Sequence, residues 1–196
     1  MGMLEDFTEI CESITRPGSE KLLKWVLESD FVEAPASTKF HGTKEGDLLV
    51  HSMYVYDILT MLNDQLDTGY DEDTIKICAL FHDVCKIDYY VKEKRNKKIN
   101  GTWKEVLVWG IKDLFPMGHG EKSVYLINKH MVLTDDEALA IRWHLGSADA
   151  GTHFFWPSGA AEKQAFREVK LVSLLNTADI LASYIFDEWE NNDASV

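Results

Sequence analysis

Ala79-Leu-Phe-His82-Asp83-Val-Cys-Lys86 is the stretch on which the fold and the chemistry both turn. It continues a segment opened by Asp71, in which Ile75, Cys78 and Ala79 recur at helical spacing and His82 falls on the same stripe. A histidine where a core residue belongs is costly to bury unless it finds a partner. His82 and Asp83 together place a neutral imidazole and a hard carboxylate within one helical turn.

Two further polar residues sit on apolar faces elsewhere. His51 lies among Leu48, Val55, Ile58 and Leu62 in a helix expected over Leu48 to Leu66, ahead of Gly69. Asp179 lies one turn from Leu175 in a long final helix expected over Ala160 to Trp189, which carries Val172, Leu175, Asp179 and Phe186 inward. Taken singly, a histidine on such a face is more often a hydrogen-bonded core residue than a ligand. Taken together, three helices each pointing one such group inward describe a site of two histidines and two aspartates. Nitrogen and oxygen donors of that kind suit a divalent metal ion.

The remaining periodicity is also helical. Ser19 to Ser29 carries the stripe Leu22, Leu23, Val26 and Leu27, and Phe31 to Asp47, with Pro35, Gly42 and Gly46, reads as loop. From Asp88 to Val108 the composition turns to Tyr, Val, Ile and Trp around Asn100-Gly101, a strong hairpin signal. Helices resume over His119 to Met131 and over Thr134 to Leu145, the second opened by the capping box Thr134-x-x-Glu137. Ser147 to Gly159 reads as an aromatic loop and Asn191 to Val196 as a frayed tail. The expected fold is all-α, with 1–196 as a single domain whose core spans about 48–186, decorated by one small β-hairpin.

The chain has 196 residues, 45% of them hydrophobic, enough for one core without cross-links. A formal charge of -13 disfavours extended nucleic-acid binding, which runs on clustered Lys and Arg. Three cysteines, Cys11, Cys78 and Cys85, fit no disulfide framework and no finger spacing, so a reducing, cytoplasmic setting is expected. Neither a signal peptide nor a membrane span is expected, since the start is acidic and no apolar run approaches about 20 residues.

The order His51, His82-Asp83, Asp179 resembles the HD-domain metal-dependent phosphohydrolases. The resemblance rests on Leu48-Leu-Val-His51-Ser, on Ala79 to Lys86 and on Leu174-Leu-Asn-Thr-Ala-Asp179-Ile, and so covers most of the chain. It implies an HD-type helical bundle and makes His51, His82, Asp83 and Asp179 metal ligands, with Asp83 bridging if a second ion is present. His119, in Gly118-His119-Gly120-Glu121, and His144, in Arg142-Trp143-His144-Leu145, fit the two-metal variant of the family. A helix-start residue and a core histidine are the alternatives for these two. His41, His130 and His153 match no family position, although the loop bearing His153 could face the site.

The implied cofactor is one or two divalent ions per chain, from among Mn, Fe, Co, Zn, Ni and Mg. The implied chemistry is hydrolysis of a phosphate ester by metal-activated water, with Asp83 and Lys86 as catalytic residues. Lys86 could pair with a substrate phosphate, or complement the end of its helix. His-Asp-x-x-Lys is more similar to phosphodiesterase-type and exoribonuclease-associated HD domains than to the 5′-nucleotidase branch, which carries Glu at the position of Lys86. The Gly-Tyr-Pro signature of cyclic-di-GMP phosphodiesterases is absent.

The expected substrate is a nucleotide or short oligonucleotide. The alternatives are mono- or triphosphates, alarmones, and a nucleotide-sensing module without turnover. The basic run Lys92, Lys94, Arg95, Lys97, Lys98 could steer a phosphate, with Arg95 as a substrate-binding residue, or be a solvated hairpin tip. Phe154, Phe155 and Trp156 could stack on a base, with Trp156 as the substrate-binding residue, or pin the loop to the core.

Overall fold

A computed structural model describes residues 2–38, 42–146 and 160–186. Its helices are α1 (Met3–Glu12), α2 (Ser19–Leu27), α3 (Asp47–Gln65), α4 (Glu72–Phe81), α5 (His119–Asn128), α6 (Asp135–Trp143), α7 (Ala160–Glu168) and α8 (Lys170–Leu181). A 3₁₀ turn, Val84–Lys86, follows α4, and a π-helical turn, Ala182–Phe186, follows α8. The strands β1 (Tyr90–Ile99) and β2 (Thr102–Ile111) form the one sheet among the described residues. The mostly helical architecture with a single hairpin is thus the one expected. No helix among the described residues is long and apolar enough to cross a membrane.

One cluster of buried side chains extends from Phe7 to Ala182, with α3, α4, α6 and α8 at its centre. α1 is a helix beyond those expected. It buries Phe7 and Cys11, and the Phe7 ring packs against Phe31 and Phe81 at centroid distances of 5.7 and 6.2 Å. The capping box that opens α6 is formed, Thr134 N–H donating to Glu137 Oε2 at 2.8 Å and Glu137 N–H to Thr134 Oγ1 at 3.3 Å. The same glutamate is fully buried. It takes a bidentate bond from Arg16, both contacts at 3.0 Å, and a third from the Thr74 hydroxyl at 2.9 Å. This ion pair joins the segment after α1 to the first turns of α4 and α6.

The hairpin pairs Tyr90 with Ile111 through to Ile99 with Thr102. Its two turn residues, Asn100 and Gly101, have φ of 50° and 81°, the left-handed pair that a two-residue hairpin turn requires. β2 continues three residues past the expected end at Val108.

The expectation of one final helix from Ala160 to Trp189 is corrected. Val169, at φ -119° and ψ 104°, is extended and separates α7 from α8. Neither Gly nor Pro marks the break; unequal burial accompanies it. α8 buries Leu171, Val172, Leu174, Leu175, Ala178 and Asp179 over a wide arc, whereas α7 buries only Ala165 among its own residues. The side chain of Phe186 and the tail from Asn191 lie outside the described residues.

Candidate metal centre

The pair His82-Asp83 does not lie within a helical turn as expected. α4 ends at Phe81, His82 is its C-cap, and Asp83 leaves the helix at φ -107° and ψ 17°. The departure matters, because consecutive residues of a regular helix point about 100° apart. Off the helix, both side chains reach the same point, His82 Nε2 lying 3.5 Å from Asp83 Oδ2. The 3₁₀ turn then stacks residues three apart, and Lys86 Nζ comes to 2.6 Å from Asp83 Oδ2.

His144 occupies the same place on α6 that His82 occupies on α4. Each is a C-cap, and each donates from Nδ1 to the carbonyl three residues back, His82 to Ala79 O at 2.8 Å and His144 to Ile141 O at 2.7 Å. Carbonyls left unpaired at a helix end thereby fix the tautomer, so that Nε2 carries the lone pair. Both Nε2 atoms are buried and have no hydrogen-bond partner among the described residues, an arrangement costly in a core and suited to a metal ion. This pair of orphaned donors is the test of fit, and the residues pass it.

The other groups converge on Asp83. His51 Nε2, projecting from α3, is 3.9 Å from Asp83 Oδ2 and 3.0 Å from Asp179 Oδ1 on α8. His82 Nε2 is 4.0 Å from the same Asp179 oxygen. On the opposite side of Asp83, Oδ1 faces His119 Nε2 at 2.6 Å and His144 Nε2 at 3.5 Å. The two oxygens of one carboxylate therefore address two different donor sets. His51, His82 and Asp83 form one close group; Asp83, Cys85 and His119 form the second. His119 heads α5, and Gly120 beside it packs on the α6 backbone, where a Cβ would stand 2.2 Å from Arg142 O. That close approach brings His119 and His144 to the same carboxylate.

Burial opposes the charge on Asp83, but Lys86, His82 and His119 outweigh it and hold the carboxyl well below the usual carboxylate range. Burial likewise opposes ionisation of Asp179, and His51, His144 and His82 prevail there. Lys86 keeps its proton against burial through Asp83. His119 is pushed down, because burial outweighs Asp83, whereas His144 is pushed up, because Asp83 and Asp179 outweigh burial. Exposure within the cluster is uneven: the His119 side chain is 25% exposed, Lys86 12% and Asp179 9%, against 1% or less for His51, His82 and His144.

His51, His82, Asp83, Lys86, His119, His144 and Asp179 thus lie in one place. Arg95 is instead exposed on β1 and bonded to Glu93 at 2.7 Å. Its neighbours Lys92 and Lys94 pair with Glu45 and Glu105. Trp156, Phe154, Phe155, His153 and His41 lie outside the described residues. His130 stacks on Trp25 at 4.9 Å between centroids. Cys85, which spacing alone did not single out, sits with its Sγ 3.3 Å from His119 Nε2. Two surface grooves, one around Tyr56 and Lys76 and one around Cys11 and Leu23, share no residue with the cluster, so donor chemistry rather than concavity identifies the site.

Compared with known protein families, the chain matches the HD domain over residues 48–182. Searches among curated proteins and among solved structures give no match.

Proposed function

The chain belongs to the HD domain family and is a metal-dependent phosphohydrolase, and from that premise we propose that it is a phosphodiesterase acting on a nucleotide or short oligonucleotide. The observation that carries the reading is the division of labour at Asp83, one oxygen toward His51 and His82 and the other toward His119 and His144. In this reading His51, His82, Asp83 and Asp179 hold one divalent ion, and Asp83, His119 and His144 a second. The ions come from among Mn, Fe, Co, Zn, Ni and Mg, and the protein acts as a single cytoplasmic domain.

Bound there, divalent ions supply a nucleophilic water at neutral pH and polarise a phosphoryl oxygen. The chain's own residues do the rest. Buried His82 and His144 present fixed lone pairs that need no reorganisation, because their Nδ1 protons are committed to backbone carbonyls. Lys86, His82 and His119 favour the ionised form of Asp83 against its burial, the form a metal ligand needs. Lys86, partly exposed and held by Asp83, supplies a cation for a phosphate oxygen. Lys86 at this position, in place of the Glu of the nucleotidase branch, is what favours the diester.

Bis-p-nitrophenyl phosphate and p-nitrophenyl phosphate, offered separately to metal-loaded protein, test the choice. Faster release from the diester, with a nucleoside monophosphate as product from dinucleotides, is expected. Faster release from the monoester, or pyrophosphate from a nucleoside triphosphate or alarmone, would replace the diesterase reading. Absence of turnover on all of these by metal-loaded protein would leave a nucleotide-sensing module.

A further inference from the structure

We propose that Cys85 is a thiolate ligand of the second metal subsite, which makes that subsite a mixed sulfur, nitrogen and oxygen centre selective for zinc, cobalt or ferrous iron. The proposal rests on the metal-dependent reading above and concerns a residue that reading does not use.

The geometry is that of a donor set. Cys85 Sγ lies 3.3 Å from His119 Nε2, and that nitrogen lies 2.6 Å from Asp83 Oδ1. Metal–sulfur and metal–nitrogen bonds of about 2.3 and 2.0–2.1 Å at a tetrahedral angle place sulfur and nitrogen about 3.5 Å apart, so the Cys85–His119 separation is already near a ligand-to-ligand edge. A further nitrogen lies on the same carboxylate oxygen, outside that close group of three: His144 Nε2 is buried, lacks a hydrogen-bond partner among the described residues and stands 3.5 Å from Asp83 Oδ1.

The backbone holds the thiol in place. Cys85 sits in the 3₁₀ turn after Asp83, and its N–H donates to the buried Ser123 hydroxyl of α5 at 3.2 Å, which ties the turn to the helix that bears His119. Cys11 and Cys78, equally buried, belong to neither potential metal group among the described residues. Binding at Cys85 releases the thiol proton to solvent as the metal–sulfur bond forms. A thiolate favours softer ions, whereas His51, His82 and Asp179 offer only nitrogen and oxygen, so the two subsites differ in the metal they prefer.

Cobalt(II) titrated without oxygen into chelator-stripped full-length protein tests this by absorption. The expected result is visible d–d bands from two equivalents, with a near-ultraviolet sulfur-to-cobalt charge-transfer band that saturates at one equivalent. In Cys85→Ser and Cys85→Ala, matched to the parent by far-ultraviolet circular dichroism, that band is absent and the cobalt of the first subsite remains. Uptake by the parent with d–d bands alone would overturn the proposal while leaving the metal-dependent reading intact. Persistence of the charge-transfer band in both variants would overturn it too, by assigning the sulfur elsewhere. Failure of the parent to take up cobalt at all would remove both.

Discussion

Replacing Arg16 by alanine removes the one cation that pairs, among the described residues, with the fully buried carboxylate of Glu137, and the structure sets the size of the effect. Both guanidinium contacts are 3.0 Å, and what remains afterwards is a charged group with two neutral donors, the Thr74 hydroxyl and the Thr134 N–H. Removing one partner of a buried pair costs about 3–5 kcal/mol. In a domain of this size that corresponds to a fall in Tm of roughly 6–20 °C. Glu137 lies in the first turn of α6 and its partner Thr74 in that of α4, whereas His82 and His144 cap the far ends, roughly 10–12 Å away along each helix. Arg16→Ala is therefore expected to lower stability without changing the metal bound per folded chain. Urea denaturation with Glu137→Gln and the double variant completes the cycle, with a coupling of about 1–3 kcal/mol expected. A loss below about 1 kcal/mol would show that the pair acts as a surface bridge does and refute the reasoning.

Lys86→Ala is expected to leave metal content unchanged and to lower kcat/KM about 10- to 100-fold, the worth of one charged hydrogen bond; metal lost with turnover would make Lys86 a positioning residue for Asp83. Gly120→Ala drives a Cβ into Arg142 O and is expected to cost about 1–3 kcal/mol and to weaken the second metal subsite while sparing the first, as read by metal content after dialysis. Zinc affinity measured by calorimetry is expected to fall as pH drops from about 7.5 to 6, because ligand histidines must be neutral. The sign follows from His144: its pKa is raised, so its proton competes with metal from above the ordinary histidine range. Unchanged affinity across that interval would remove His144 from the ligand set.

Elements that announce themselves locally are legible in this sequence. The Asn100-Gly101 turn, the Thr134-Glu137 box and the stripe of α3 each express a backbone requirement within a few residues. α1 carries the spacing Phe7, Cys11, continued past its end by Ile14, but Gly2 offers no side-chain cap and the stripe is one residue wide per turn, so only its docking on Phe31 and Phe81 marks it. The break at Val169 has no local signature, since it accompanies unequal burial of α7 and α8 against the rest of the bundle.

The site divides in the same way. The His82-Asp83 dipeptide, His51 and Asp179 stand out as polar groups on apolar faces. That His82 and His144 are both C-caps with committed Nδ1 protons depends on where two helices stop. Cys85 is a single thiol without a spacing partner, and its neighbour His119 arrives only when Gly120 lets α5 close on α6.

The most direct test is elemental analysis of the purified protein beside His51→Ala and Asp179→Ala. One or two divalent metal ions per chain, lost in both variants together with phosphate-ester hydrolysis, is the expected result. A parent protein that holds no metal even after reconstitution, or variants that keep a full complement, would contradict the account, since the orphaned nitrogens of His82 and His144 would then have no ion to serve.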